Sequence, residues 1–335
     1  MTSVETLNAP VHISPRRPCH VNLFVSDLER SLEFYNKVCG IEIVLRQPTI
    51  NAGFLSNGNT NHDIGMIGTT PDALFGENGH QIWAAGQASR PGLYHIGWEM
   101  EHEFDLVKAH LRAQAFGYRV NRTVRHLSTR SLYAFDADAN IHEYYADVSK
   151  DWRTLYAEGK RVSGHWTPGE LRPSTDSLYQ VNPEIRKVPG ATVNTVRFSH
   201  TALSVRNFDR MRAYFRNIAG LLEVYVNEVA GVAAFASPAC NYPVALVLHR
   251  SKSGDKADRG LHHFVLEIDE TYSFDEASDR LTQSGHPPVV KLDLPHKSSL
   301  VVQDPDGLLV ELMQFHGGSI DFEALARAGQ LEYGI

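Results

Sequence analysis

The chain has 335 residues, more than one ordinary domain needs and enough for two. Hydrophobic residues make up 42% and charged residues 21%, so a normal core can be buried, and a net charge of -7 without any Lys/Arg run excludes a nucleic-acid surface. No apolar run reaches the roughly 18 residues that span a bilayer, so no membrane partner is expected. The opening stretch MTSVETLNAPVHISPRR lacks the apolar core of a signal peptide, and Cys19, Cys39 and Cys240 form neither a disulfide framework nor a zinc spacing. A reduced, cytoplasmic protein is expected. The 17 histidines are more than composition alone supplies, and histidine is the commonest metal ligand.

Residues 1–17 read as an N-terminal arm. From residue 18, HVNLFVSDLERSLEFYNKVCGIEIV opens on His20 in an alternating strand. Asp27 follows as a helix N-cap, then Phe34-Tyr35, then Gly40 where the helix ends. Alternation puts Val21, Leu23 and Val25 toward a helix and His20, Asn22 and Phe24 on a concave face. A second start, Gly92-Leu93-Tyr94-His95, leads to Glu99 and to a helix near 103–116 closed by Gly117. The turn Asp136-Ala137-Asp138-Ala139-Asn140 then feeds a strand carrying Glu143. Residues 151–192, with Pro168, Pro173, Pro183 and Pro189, read as a connecting segment.

The pattern then returns. His200, Asn207, Tyr214-Phe215 and Gly220 repeat the first module. Gly260-Leu261-His262-His263, Glu267, a helix near 272–284 closed by Gly285, the turn Asp304-Pro305-Asp306-Gly307, and Glu311 repeat the second. His95 and Glu143 lie 48 residues apart, and so do His263 and Glu311. Four modules therefore start near 18, 92, 197 and 260, each strand, helix and three strands. The expected fold class is α+β: four βαβββ modules paired into two domains, 18–150 and 193–318, with a tail at 319–335. Sequential pairs share a sheet to bury their helix-facing sides.

Two histidines and a glutamate recur on strands that otherwise favour apolar residues. A glutamate inside Leu308-Leu309-Val310-Glu311-Leu312-Met313 is costly unless paired or coordinated. His20, His95 and Glu143 therefore form one candidate metal set, and His200, His263 and Glu311 a second. Two histidines and one carboxylate with open positions are the ligands of non-haem Fe(II) oxygenases.

This arrangement resembles the vicinal oxygen chelate superfamily and, more narrowly, the two-domain type I extradiol ring-cleavage dioxygenases. The resemblance covers nearly the whole chain outside the arm and the connection. It implies Fe(II), with Mn(II) also suited to the ligands, and the residue matches that follow assign it to the first half as the catalytic domain. His80, 15 residues before His95, matches the family's acid/base histidine; His249, 14 before His263, is its counterpart. Tyr133, ten residues before Glu143, and His126 match its substrate-binding pair, and Asn22 matches a residue two after the first ligand. The second half has Val301 and Ala202 where the first has Tyr133 and Asn22. The first half thus carries the fuller outfit, whereas the C-terminal half is usually the active one in these enzymes. The implied substrates are a small aromatic vicinal diol and dioxygen, and the implied assembly is a homo-oligomer. Two other functions suit the fold: a glyoxalase-like metal-dependent isomerase or lyase, and a protein that sequesters a ligand without turnover.

Overall fold

The structure, a computed structural model, describes residues 12–75, 81–115, 117–158, 164–170, 176–252 and 260–335. The first module is β1 (Arg17–Val25), α1 (Leu28–Glu33), β2 (Glu42–Gln47), β3 (Ala52–Ser56) and β4 (Ile64–Gly68). A short hairpin, β5 (Leu74–Phe75) and β6 (Gln81–Trp83), precedes the second module. That module is β7 (Gly92–Glu99), α2 (Glu103–Ala115), β8 (Val120–Arg125), β9 (Thr129–Phe135) and β10 (Ile141–Asp147). Helix α3 (Trp152–Ala157) begins the connection. The second half runs β11 (Thr195–Val205), α4 (Phe208–Tyr214), β12 (Leu222–Asn227), β13 (Val232–Ala236) and β14 (Leu246–Arg250), then β15 (Gly260–Ile268), α5 (Phe274–Gln283), β16 (Val290–Asp293), β17 (Lys297–Gln303) and β18 (Leu309–Phe315). Helices α6 (Phe322–Ala328) and α7 (Leu331–Gly334) close the chain.

Each half forms one eight-stranded mixed sheet, in the order β2-β3-β4-β1-β7-β10-β9-β8 and β12-β13-β14-β11-β15-β18-β17-β16. The fold is thus α+β, two module pairs with the vicinal oxygen chelate topology. The first strands of paired modules meet antiparallel at the sheet centre, β1 on β7 and β11 on β15. Alternation sorts the side chains as the sequence predicts. Val21, Leu23 and Val25 join the main core under the helices, and Phe24 joins a cup-side cluster with Trp83, Tyr94 and Tyr133. The Asp27 carboxylate caps α1 by accepting from Arg30 N at 3.1 Å. Helix α1 continues as a π-turn over Phe34–Val38, and both Phe34 and Tyr35 are buried.

The halves grip each other through equivalent parts. In the first half, Asp138 of the β9–β10 turn accepts from Arg206 N at 2.7 Å and from Asn207 Nδ2 at 2.6 Å, at the β11–α4 junction. Reciprocally, Asp306 of the β17–β18 turn accepts from Ser26 N at 2.9 Å and from the Ser26 hydroxyl, at the β1–α1 junction. Gly40, at φ +70°, lets the second half approach: a Cβ there would lie 2.4 Å from Val193 O.

Candidate metal centre and active site

The sheet register assembles the site. Arg122, Tyr133, Glu143, Gly97 and His20 form one row across β8, β9, β10, β7 and β1. In the next row His95 stands opposite Asn22 on one side and Ile141 on the other. Residues two apart on a strand share a face, so both rows look into the same cup. The register slips between Asn22 and Leu23 of β1, pairing them with His95 and Leu93. This bulge brings Tyr94 onto the cup face beside His95, their ring centroids 4.6 Å apart.

His20, His95 and Glu143 are all buried, and their donor atoms lie within 4.8 Å of one another. Glu143 Oε2 is 3.1 Å from His20 Nε2 and 2.9 Å from His95 Nε2. Ligand atoms at about 2.1 Å from a common ion, set at right angles, are separated by about 3 Å. Both carboxylate–imidazole separations match this, and the group could hold a divalent metal. Burial pushes His95 down to about 4, which keeps its ring neutral and able to ligate. Burial would raise the Glu143 carboxyl, but hydrogen bonds from His126, His20 and His95 outweigh it and hold it well below the usual range.

The other expected residues distribute as follows. Tyr133 OH lies 3.0 Å from His126 Nε2, and His126 Nε2 lies 3.5 Å from Glu143 Oε1. His126 is the open side of the site, with 42% of its side chain exposed. Burial, with Glu143 next, raises the Tyr133 hydroxyl well above its ordinary value, so it is a hydrogen-bond donor at neutral pH. Asn22 is buried in the cup, and its Oδ1 has no hydrogen-bond partner among the described residues. His80 falls outside the described residues. His249 pairs in register with Ser204, whereas the first-half equivalent in register is Phe24 with Ile67. Ile67 therefore stands in the first half where His249 stands in the second.

The second set is filled from within. Lys297, fully buried, places Nζ 2.7 Å from Glu311 Oε1 and 2.8 Å from the main-chain oxygen of Ile335. The Ser299 hydroxyl donates to the same carboxylate oxygen at 2.6 Å, and His263 Nε2 lies 3.2 Å from Oε2. His200 instead stacks on Tyr242, centroids 4.8 Å apart, and meets Ser199 Oγ at 3.0 Å through Nδ1. Among the described residues the convergent three-donor group is the first set. An ammonium thus supplies the positive charge in the second cup.

Sequence reasoning passed over three participants. Gly97 is needed because a Cβ there would lie 2.0 Å from His20 Cε1. Arg122 spans the cup wall, donating to Tyr94 OH at 2.6 Å and Ile82 O at 2.9 Å, with its guanidinium 4.2 Å from the Tyr133 ring centre. His62, in the β3–β4 turn, stacks on His20 at 4.1 Å. Lys297 was legible in hindsight: it alternates with Ser299 and Val301 on a strand whose neighbour carries Glu311.

Comparison with known proteins agrees with this construction. The profile of the Glyoxalase/Bleomycin resistance protein/Dioxygenase superfamily matches residues 17–144 and again 197–312. Metapyrocatechase 2 of Cupriavidus necator is 24% identical over 176 residues, 52% of this chain and 46% of that protein, so the match spans less than half of the relative. The 2,3-dioxygenase LapB of Pseudomonas sp. KL28 superposes with a TM-score of 0.62 at 14% identity, over 92% of this chain and 94% of LapB. The Mn(II)-bound glyoxalase of Novosphingobium aromaticivorans superposes with a TM-score of 0.60 at 13% identity, over 90% of this chain and 82% of that one. At such identities the superpositions establish the fold. With both halves matched by the profile, the chain belongs to the Glyoxalase/Bleomycin resistance protein/Dioxygenase superfamily, that is, the vicinal oxygen chelate superfamily.

Proposed function

We propose that the chain is a metal-dependent extradiol dioxygenase that opens the ring of a catechol-like vicinal diol with dioxygen, using the first-half cup and Fe(II), with Mn(II) the second choice. The observation that carries this reading is the convergence of His20, His95 and Glu143, with His126 and Tyr133 hydrogen-bonded to each other beside Glu143. A divalent ion held there would act as a Lewis acid and bring diol and dioxygen together. The protein's own part is charge and proton management. Tyr133 donates to a substrate oxygen that becomes anionic on binding, and His126, reachable from solvent, relays the proton that leaves. Asn22, through its free Oδ1, accepts from the substrate hydroxyl that keeps its proton. His80 is proposed as the acid/base for reduced oxygen.

The activities for which LapB and metapyrocatechase 2 are named support this reading, and that of the Novosphingobium glyoxalase supports the alternative, a glyoxalase-like isomerase. The set of His80, His126 and Tyr133 favours ring cleavage, because an isomerase has no dioxygen to manage. The test is metal analysis, then anaerobic addition of catechols and admission of oxygen. A yellow ring-cleavage product that disappears in His95→Ala, together with the bound metal, is expected. Metal binding without oxygen consumption on any catechol would refute the dioxygenase reading.

A further inference from the structure

Residues 56–63, SNGNTNHD, form a polar turn buried between the halves, and the turn is tied down on every side. Ser56 Oγ donates to Thr60 O at 2.6 Å. Asn57 Nδ2 reaches Thr195 Oγ1 at 3.3 Å, and Asn59 Nδ2 donates to Val196 O. Thr60 Oγ1 lies 2.9 Å from Tyr145 OH, and Asn61 Nδ2 donates to Ser128 Oγ at 2.9 Å. Asp63 accepts from Asn57 N at 2.7 Å and from Phe198 N at 3.3 Å. His62 is the exception: it is 8% exposed, and neither ring nitrogen has a hydrogen-bond partner among the described residues.

Buried polar groups are hydrogen-bonded as a rule, and an exception in so well-tied a segment calls for a reason. One face of the imidazole lies on the His20 ring, 4.1 Å between centroids and tilted by 34°, and Phe54 meets it edge-on at 5.1 Å. The donor set that converges for a metal comprises His20, His95 and Glu143, without His62. His62 therefore borders that set without joining it. Asn22, in the same cup, also keeps an unpartnered buried oxygen. In the second cup, the ring stacked on the corresponding His200 is Tyr242, so stacking alone does not require an imidazole.

We propose that His62 is a substrate-binding residue of this site, hydrogen-bonding an oxygen of the chelating diol through a ring nitrogen that the protein leaves free. The proposal rests on the reading of the cup as a metal centre that takes a vicinal diol. The rigid turn, anchored by β11 of the second half, sets the nitrogen in place before the ligand arrives, which limits the ordering cost of binding.

The experiment is an anaerobic titration of the metal-loaded full chain with 4-nitrocatechol, followed by its visible absorbance, with metal content measured on the same samples. His62→Phe keeps the stacked ring and removes both nitrogens. It should retain wild-type metal content and bind 4-nitrocatechol about tenfold to a hundredfold more weakly. His62→Gln, which restores a donor and an acceptor, should recover part of that loss, and it serves if the Phe variant does not fold. Equal affinity in His62→Phe and wild type would overturn the proposal, as would loss of metal with unchanged affinity per bound ion. If metal-loaded wild type takes no 4-nitrocatechol, the dioxygenase reading fails and this inference with it. If wild type binds and the variants bind equally, the His62 assignment alone fails.

Discussion

Replacing Gly97 by alanine tests whether the register row, rather than mere proximity, builds the metal centre. An ideal Cβ at this position lies 2.0 Å from His20 Cε1, 2.1 Å from Nε2 and 2.3 Å from Nδ1. Carbon contacts settle at about 3.5 Å, so the imidazole would have to retreat by about 1.5 Å. Retreat is blocked, because His62 stacks on the same ring at 4.1 Å and Tyr145 at 5.3 Å. Ligand distances tolerate only about 0.2 Å, so a displacement of that size removes His20 from the ligand set. Metal affinity should fall by about a hundredfold or more, beyond the range for losing a supporting contact. Overpacking of this kind also costs about 1–3 kcal/mol of stability. Reconstitution with Fe(II) under anaerobic conditions, followed by metal analysis and calorimetry of the metal-free protein, measures both. Gly169→Ala, where a Cβ meets nothing within 4 Å, is the control and should change neither. Stoichiometric metal at wild-type affinity in Gly97→Ala would refute the row geometry.

Three further outcomes follow from the same structure. Tyr133→Phe should lower kcat/KM on a catechol by about tenfold to a hundredfold at unchanged metal content, since it deletes one hydrogen bond to a developing anion while the ring still packs; unaltered kinetics would make Tyr133 a wall residue only. Lys297→Met strands the buried Glu311 carboxylate and should cost about 3–5 kcal/mol in denaturant unfolding, whereas Lys297→Met with Glu311→Leu should recover most of it. Metal content should stay at wild-type level in both, and a loss of metal there would show that the second cup is the one occupied. Burial, with Lys297 next, pushes His200 down to about 3 from 6.5. Below about pH 6.5 the unfolded chain takes up a proton that the folded chain refuses, so this group's contribution is full above 6.5 and falls with pH, by about 2 kcal/mol at pH 5. His200→Gln should therefore lose less stability than wild type between pH 7 and pH 5, and equal losses would show that His200 does not titrate this way.

The repeat was legible because its signals are local: a histidine opening a strand, a capping residue such as Asp27, a glycine such as Gly40 where the helix stops. The fold follows, since four such modules have few ways to bury their helix-facing sides. Strand alternation likewise placed His20, Asn22 and Phe24 on one face. The His/His/Glu spacing alone did not distinguish the two cups, although Val301 and Ala202 in place of Tyr133 and Asn22 pointed to the first. The distinction lies in Lys297 on a neighbouring strand, and only the pairing of β17 with β18 brings it to Glu311. His62 sits in a turn, where no periodicity assigns a direction, and the ties that orient it come from residues far along the chain, such as Thr195 and Ser128.

The mutual grip of Asp138 on the β11–α4 junction and of Asp306 on the β1–α1 junction is the same contact made twice. Such a contact is isologous, the kind that joins two copies of one subunit, here closed within a single polypeptide. Nothing in the contact itself distinguishes the chain's own second half from that of another molecule. What decides is tethering: residues 151–192 hold the partner at an effective concentration on the order of millimolar, far above that of a free chain. A connection too short to let the halves fold back would leave both surfaces intact and exchange them between molecules, giving swapped assemblies with every cup preserved. The length of that linker thus governs whether the molecule completes itself or is completed by a neighbour.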